Sequence, residues 1–250
     1  MMLIKDKVVL VTGGGRNVGA GIVRSLAGHG ATLAINCYQS VDLAQALAGS
    51  IEESGGKAGV WQCDIRDTDA VKKMVEDIVS RYGRIDAVVN NVGGGATGKL
   101  DELTWDQFVY TLEMDVKSVL NTCQAVHPFM AAQGGGSIIN IGSDQHNTAG
   151  IGIAPNVAGK SGGLGLTRCL IAELGPENIR VNTVSLGWTR TDRTKGRDTP
   201  DNPTILGTPL RRMCEPEYVG DVCAFLISDL GKYISGAYIP LNGGRTPQMG

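Results

Sequence analysis

The chain is expected to fold as a single α/β domain, a doubly wound parallel sheet of about seven strands with helices on both faces. Three observations lead there. Short apolar runs alternate along the 250 residues with longer stretches of helical periodicity. Those runs are apolar at nearly every position, as in strands covered on both sides. The first run ends in a glycine-rich turn that opens straight into a helical pattern.

Taken in order, Lys7–Thr12 reads as the first strand and Gly19–His29 as the helix beyond its turn. Thr32–Asn36 with Val41–Ser54, and Gly59–Cys63 with Asp67–Tyr82, repeat the pairing. Ala87–Asn90 is a fourth strand, followed by one long helical pattern over Trp105–Ala132. Ser137–Ile141 lies in an apolar stretch that ends at Ser143, and Gly162–Leu174 is the next helix. Arg180–Ser185, a helix at Pro216–Ser228 and a seventh strand at Ala237–Leu241 complete a Rossmann-like alternation. No internal repeat and no Pro/Gly/Ser linker divides residues 1–250, so one domain is expected. Thr189–Met213 has little periodicity and many polar, Gly and Pro residues. Residues 189–213 follow the sixth strand, and ligands bind beyond the carboxyl ends of such strands, so they read as a substrate lid.

Composition narrows the function. A net charge of -2 gives no electrostatic case for nucleic acid or an anionic membrane. The apolar runs are too short to span a bilayer. The start, Met1-Met2-Leu3-Ile4-Lys5-Asp6, has no signal-peptide core. The six cysteines, Cys37, Cys63, Cys123, Cys169, Cys214 and Cys223, show neither CxxC nor Cys/His metal spacing. They read as reduced thiols of a cytoplasmic protein without a metal. Gly, at 36 residues, is abundant and suits tight turns and close backbone approach to a ligand.

Val8–Thr12, Gly13-Gly14-Gly15 and Arg16-Asn17-Val18-Gly19 make a strand, a turn and a helix start. Glycines let the backbone reach a pyrophosphate, and a helix N-terminus offers free N–H groups. The second strand runs into Ile35-Asn36-Cys37-Tyr38-Gln39-Ser40, with no acid to bind a ribose 2′-hydroxyl. That absence, with Arg16 in the turn as a bidentate phosphate partner, favours NADP(H) over NAD(H).

Thr12-Gly13 with Asn17-Val18-Gly19 resembles the TGxxxGxG turn of the short-chain dehydrogenases/reductases. Asp64-Ile65 is similar to that family's adenine contact, and Asn90-Asn91-Val92-Gly93 to its NNAG motif. Ser143 and Lys160 stand at its catalytic serine and lysine spacing. Leu186-Gly187-Trp188-Thr189-Arg190-Thr191 resembles its PG…T segment, and Ile234-Ser235-Gly236 with Asn242-Gly243-Gly244 its last strand. The resemblance implies a cofactor held by Gly13, Arg16, Asn17, Val18, Gly19, Tyr38, Asp64, Ile65, Asn91, Gly93, Lys160, Gly187, Thr189 and Thr191. It also implies a small-molecule substrate and a homotetramer or homodimer packed through the helices of Trp105–Ala132 and Gly162–Leu174.

The departures bear on mechanism. Asn17 replaces the second motif glycine, Val92 the alanine and Leu186 the proline; each could crowd or reorient the cofactor without excluding it. Asp115 stands where the family has asparagine, and Asn156 where it has the proton-moving tyrosine. In the family, the lysine lowers the tyrosine pKa and holds the nicotinamide ribose, and the serine polarises the substrate oxygen. An amide does not ionise near neutrality; it donates and accepts hydrogen bonds only. Asn156 can thus stabilise an oxyanion but not supply a proton, and losing a general acid costs a factor of about 100 to 10,000. His146, three residues past Ser143, is the candidate replacement, with Asp144 a weaker one. Asp115, if it faces Lys160, would keep the ammonium charged and could join it in a proton relay; it also argues against a Schiff-base lysine. His29 and His127 read as structural.

The favoured function is an NADP(H)-dependent oxidoreductase acting on a small organic, conjugated or aromatic substrate. A conjugated C=C or an imine relies less on a phenol at this position, and the family's dienoyl reductase branch also replaces its tyrosine; a carbonyl reductase using His146 as acid also fits. A non-redox lyase, isomerase or cyclase is the alternative, and a catalytically silent cofactor-binding protein the third.

Overall fold

In the computed structural model, which describes residues 2–147 and 150–246, the seven strands form one parallel sheet in the order β3-β2-β1-β4-β5-β6-β7. They are β1 (Val8–Val11), β2 (Thr32–Cys37), β3 (Lys57–Gln62), β4 (Ala87–Asn90), β5 (Gly136–Ser143), β6 (Ile179–Leu186) and β7 (Tyr238–Leu241). The chain reverses its direction of winding between β1 and β4, which opens a crevice at the carboxyl ends of those strands.

Strand alternation divides the core in two. Val9 and Val11 face helices α1 (Asn17–Gly28), α2 (Val41–Glu53) and α8 (Pro216–Ile227), packing with Ile22, Leu26, Leu47, Ile51 and Val219. Val8 and Leu10 face α3 (Thr68–Tyr82), α5 (Ser118–Ala132) and α6 (Ala154–Leu174), with Val71, Ile78, Val126 and Leu170. Each fully buried Ile or Leu contributes about 1.5–3 kcal/mol relative to an exposed one. A polar row crosses the second core. Asn90 Nδ2 donates to Asn140 Oδ1 at 2.8 Å, Asn140 Nδ2 to Thr167 Oγ1 at 2.8 Å, and Thr122 Oγ1 to Asn90 Oδ1 at 2.6 Å. Satisfied buried amides of this kind specify one register, because a slip would strand them without partners.

One expectation needs refinement and one correction. The pattern over Trp105–Ala132 is helical throughout, as expected, but a π-helical turn at Glu113–Lys117 sits between α4 (Trp105–Leu112) and α5. The helix expected from Gly162 begins earlier, at Ala154, with Pro155 in its first turn where a missing N–H costs nothing. Glycines of this helix allow close packing. A Cβ on Gly159 would lie 2.7 Å from Asp115 Oδ2, and one on Gly163 would lie 3.2 Å from the Asp115 carbonyl. The segment after β6 is also more ordered than its composition suggests. It holds a 3₁₀ turn at Asp192–Thr194 and α7 (Pro203–Leu206).

Candidate active site

Most residues singled out from sequence lie near the carboxyl ends of β1, β4, β5 and β6, while Tyr38 follows β2 and Asp64 and Ile65 follow β3. In the glycine-rich turn, Gly13 has φ +61°, and a Cβ on Gly19 would lie 2.2 Å from the Gly13 carbonyl. Asn91 braces the turn from β4, its Nδ2 donating to Thr12 O at 2.9 Å and to Gly13 O at 3.3 Å. The N-terminus of α1 has no side-chain cap and no acid in its first turn, whereas Asp67 caps α3 and Thr104 caps α4. Its open N–H groups and positive dipole end form an anion cradle, so the residues present fit a dinucleotide pyrophosphate. Gly13, Val18 and Gly19 would hold it.

Asn17 adopts a left-handed φ of +50°, a conformation asparagine tolerates. Its Oδ1 accepts from the Asp192 N–H at 2.9 Å, tying the turn to the segment after β6. Thr191 and Thr194 cap one another there, and Thr189 bridges to Cys214. Gly187 is required by close packing, since a Cβ would fall 2.6 Å from Asn242 Cα. Arg16 is exposed on the rim of a groove of about 760 Å³ that Asn17, Thr191 and Lys195 also line. Beyond β2, Tyr38 is exposed. Ile65 is buried, and Asp64 is clamped by Arg66 at 2.6 Å; that guanidinium holds its carboxyl below the usual range, against the opposing effect of burial.

Lys160 and Asp115 meet at the catalytic end. The π turn brings Asp115 inward with its side chain wholly buried, 3.0 Å from Lys160 Nζ. Asp115 Oδ1 also accepts from the Gly94 N–H at 3.0 Å, and Lys160 Nζ donates to Ile141 O at 3.2 Å. No tyrosine hydroxyl hydrogen-bonds to Lys160 among the described residues. Asn156 occupies the first turn of α6, four residues before Lys160, and its Oδ1 is buried with no hydrogen-bond partner among the described residues. Ser143 ends β5 and its Oγ accepts from the Gln145 N–H at 3.3 Å. Asp144 is buried beside it, in the 3₁₀ turn Asp144–Asn147. His146 lies in that turn, but its side chain falls outside the described residues.

A polar group that the sequence did not reveal adjoins this strand end. Tyr238 on β7 donates its hydroxyl to Ser185 Oγ at 2.6 Å and accepts from Asn147 Nδ2 at 3.4 Å. Burial pushes the phenol pKa up, and the nearby Asp144 carboxylate adds to that. Only the β6–β7 register, which sets Thr183 opposite Tyr238, could have exposed the cluster.

Residues 13–246 match the family described as enoyl-(acyl carrier protein) reductase. The chain is 35% identical over 243 residues to the 3-oxoacyl-[acyl-carrier-protein] reductase FabG of Staphylococcus epidermidis, covering 96% of this chain and 98% of that protein. The chain belongs to the short-chain dehydrogenase/reductase superfamily, a superfamily of oxidoreductases. Solved structures of the superfamily superpose closely. A short-chain dehydrogenase from Burkholderia cenocepacia in complex with NADP gives a TM-score of 0.90 at 31% identity, covering 98% of this chain and all, 100%, of the other. A 7 alpha-hydroxysteroid dehydrogenase complexed with NADH and 7-oxo glycochenodeoxycholic acid gives 0.92 at 28%, covering 97% and 95%. Among the described residues of this short-chain dehydrogenase/reductase, no group of His, Cys, Asp and Glu is placed to hold a metal. No described helix is long and apolar enough to cross a membrane.

Proposed function

We propose that this protein is an NADP(H)-dependent oxidoreductase that reduces an activated double bond, a conjugated C=C or an imine, in a small organic molecule. The observation that carries the reading is the state of Lys160. Its ammonium is committed to Asp115 and the Ile141 carbonyl, with an amide rather than a phenol one helical turn away. A site so arranged can orient cofactor and polarise a substrate oxygen, but it lacks the tyrosine–lysine acid that a plain ketone requires.

Arg16 and the acid-free end of β2 favour the 2′-phosphate of NADP(H). The N–H groups at the start of α1 would take the pyrophosphate, and Lys160 the nicotinamide ribose. Bound NADPH would supply hydride. Ser143 Oγ and the Asn156 amide then act as donors to the substrate oxygen, holding the enolate that forms when hydride adds to a conjugated carbon. Because that charge is delocalised, the proton can arrive in a later step from water or from His146. Residues 189–213 would close over the substrate, and the exposed Trp105, Tyr110 and Leu120 of α4 and α5 would face a second copy in a homodimer or homotetramer. The matched family description names an enoyl substrate and the bacterial relative a 3-oxoacyl one. Those are the two chemistries between which the missing phenol discriminates.

The test is NADPH oxidation, followed at its absorbance band, against matched α,β-unsaturated and 3-oxo thioesters. Turnover of the unsaturated member alone is expected. Asn156→Tyr should add 3-oxo reduction, and His146→Ala should retain most of the C=C activity. Equal turnover of both substrates by the unmodified protein would overturn the reading. Binding of NADPH with no oxidation by any acceptor would favour the non-redox alternative, for which the Tyr238–Ser185 group beside Asp144 offers proton-moving side chains.

A further inference from the structure

The Asp115–Lys160 pair is built into the site with little freedom. A Cβ on Gly93 would lie 2.2 Å from Lys160 Nζ and 2.5 Å from Asp115 Oδ1, and one on Gly159 would lie 2.7 Å from Asp115 Oδ2. Glycines therefore box the pair from two sides. Asp115 Oδ2 is buried with no hydrogen-bond partner among the described residues. The cavity beside it, lined by Asn90, Asn140, Lys160 and Thr183, measures about 20 Å³, room for a single water. The remaining charges of the π turn, Glu113 and Lys117, pair with each other at the surface, 3.5 Å apart. Among the described residues, the carboxylate of Asp115 thus pairs with one cation, and Lys160 with one anion.

A lone ammonium at this position would act on the cofactor's charge. The nicotinamide ring is cationic when oxidised and neutral when reduced, so an isolated positive group disfavours the oxidised form. We propose that Asp115 is a positioning residue that cancels the Lys160 charge and so sets the balance between oxidised and reduced cofactor, relieving the discrimination against NADP+. The inference rests on the cofactor reading above and deepens it. The site then retains NADP+ more strongly than an otherwise identical site with an uncharged amide at residue 115. The on-protein equilibrium for hydride transfer accordingly lies closer to the oxidised cofactor.

Dissociation constants for NADP+ and NADPH, measured by calorimetry on the unmodified protein and its variants, decide this without any substrate. The readout is the ratio of the NADP+ to the NADPH constant. Asp115→Asn keeps the acceptor for the Gly94 N–H and removes the charge, and its ratio should rise roughly fivefold. Asp115→Asn combined with Lys160→Met removes both charges and should return the ratio to that of the unmodified protein. Replacing a buried pair by neutral groups is often neutral for stability, so the double variant remains informative if the single one fails to fold. A purely structural role for Asp115 would weaken both cofactors equally and leave the ratio fixed, which would overturn the inference. A double variant whose ratio falls below that of the unmodified protein would overturn it too, since Lys160 would then have been acting uncompensated. Failure of either nucleotide to bind the unmodified protein would sink the cofactor reading and this inference together.

Discussion

Gly93 shows how one missing methyl group fixes the chemistry. A Cβ there would fall inside both members of the Asp115–Lys160 pair, at 2.5 Å and 2.2 Å. Lys160 is the more mobile partner, so Gly93→Ala should displace its ammonium and strand the carboxylate. Breaking a buried pair on one side costs about 3–5 kcal/mol. In a chain of this size, that is a fall in Tm of the order of ten degrees. Thermal melts of the variant would show it, together with weakened NADPH binding; an unchanged Tm would mean that the pair can shift without loss. The sequence makes this glycine visible only through its motif, because nothing local marks the space that it must leave. Tyr238 is the opposite case. Its phenol meets Ser185 and Asn147 through strand register and a loop fold, and no motif spacing encodes that.

The elements were largely legible, and their joins were not. All seven strands lie where apolar runs place them, most plainly β1, β2 and β4, which are buried at every position and so carry few polar residues. The π turn at Glu113–Lys117 escaped the reading, since helical periodicity resumes on either side of its extra residue. The start of α6 escaped it because Pro155 and Gly159, in its first turns, look like helix breakers until their neighbours are known. Asn17 joins two elements in the same hidden way, through the Asp192 N–H. Two small terms compete there. The hydrogen bond contributes a net 0.5–1.5 kcal/mol or thereabouts, and the left-handed backbone costs a side chain roughly 1–2 kcal/mol, less for asparagine. Asn17→Gly removes both and should leave global stability within about 0.5 kcal/mol. Asn17→Ala loses the bond and keeps the strain, so it should cost about 1–2 kcal/mol. Hydrogen exchange at Asp192 should quicken in both. Protection of Asp192 that survives both changes would show that the tie is unimportant.

On the scale of the molecule, both cores depend on thiols that stay protonated. Cys37 and Cys223 pack against one face of the sheet, Cys63 and Cys123 against the other. Burial pushes Cys63 up to about 11 and Cys123 to about 12, Cys214 beyond the end of the sheet up to about 11, and Cys37 and Cys223 upward as well. Burial raises the phenols of Tyr82 and Tyr238 in the same sense. A group whose folded pKa exceeds its unfolded value loses its proton first in the unfolded chain, which gains stability from it. Each buried thiol therefore contributes fully below the ordinary value of 9.0 and loses that contribution as pH climbs toward its folded value. Thermal stability should hold to about pH 9 and then fall steadily to pH 11, with every buried thiol steepening the slope. Cys123→Ala should lower the Tm at neutral pH, through the cavity that it leaves, yet flatten the decline above pH 9. Cys169 is exposed on α6, so its alanine variant should match the unmodified protein at every pH. Melts recorded at half-unit steps from pH 8 to 11 would read all three curves, and a Tm that stayed level through that window would show that the interior opens to solvent far more readily than this packing implies.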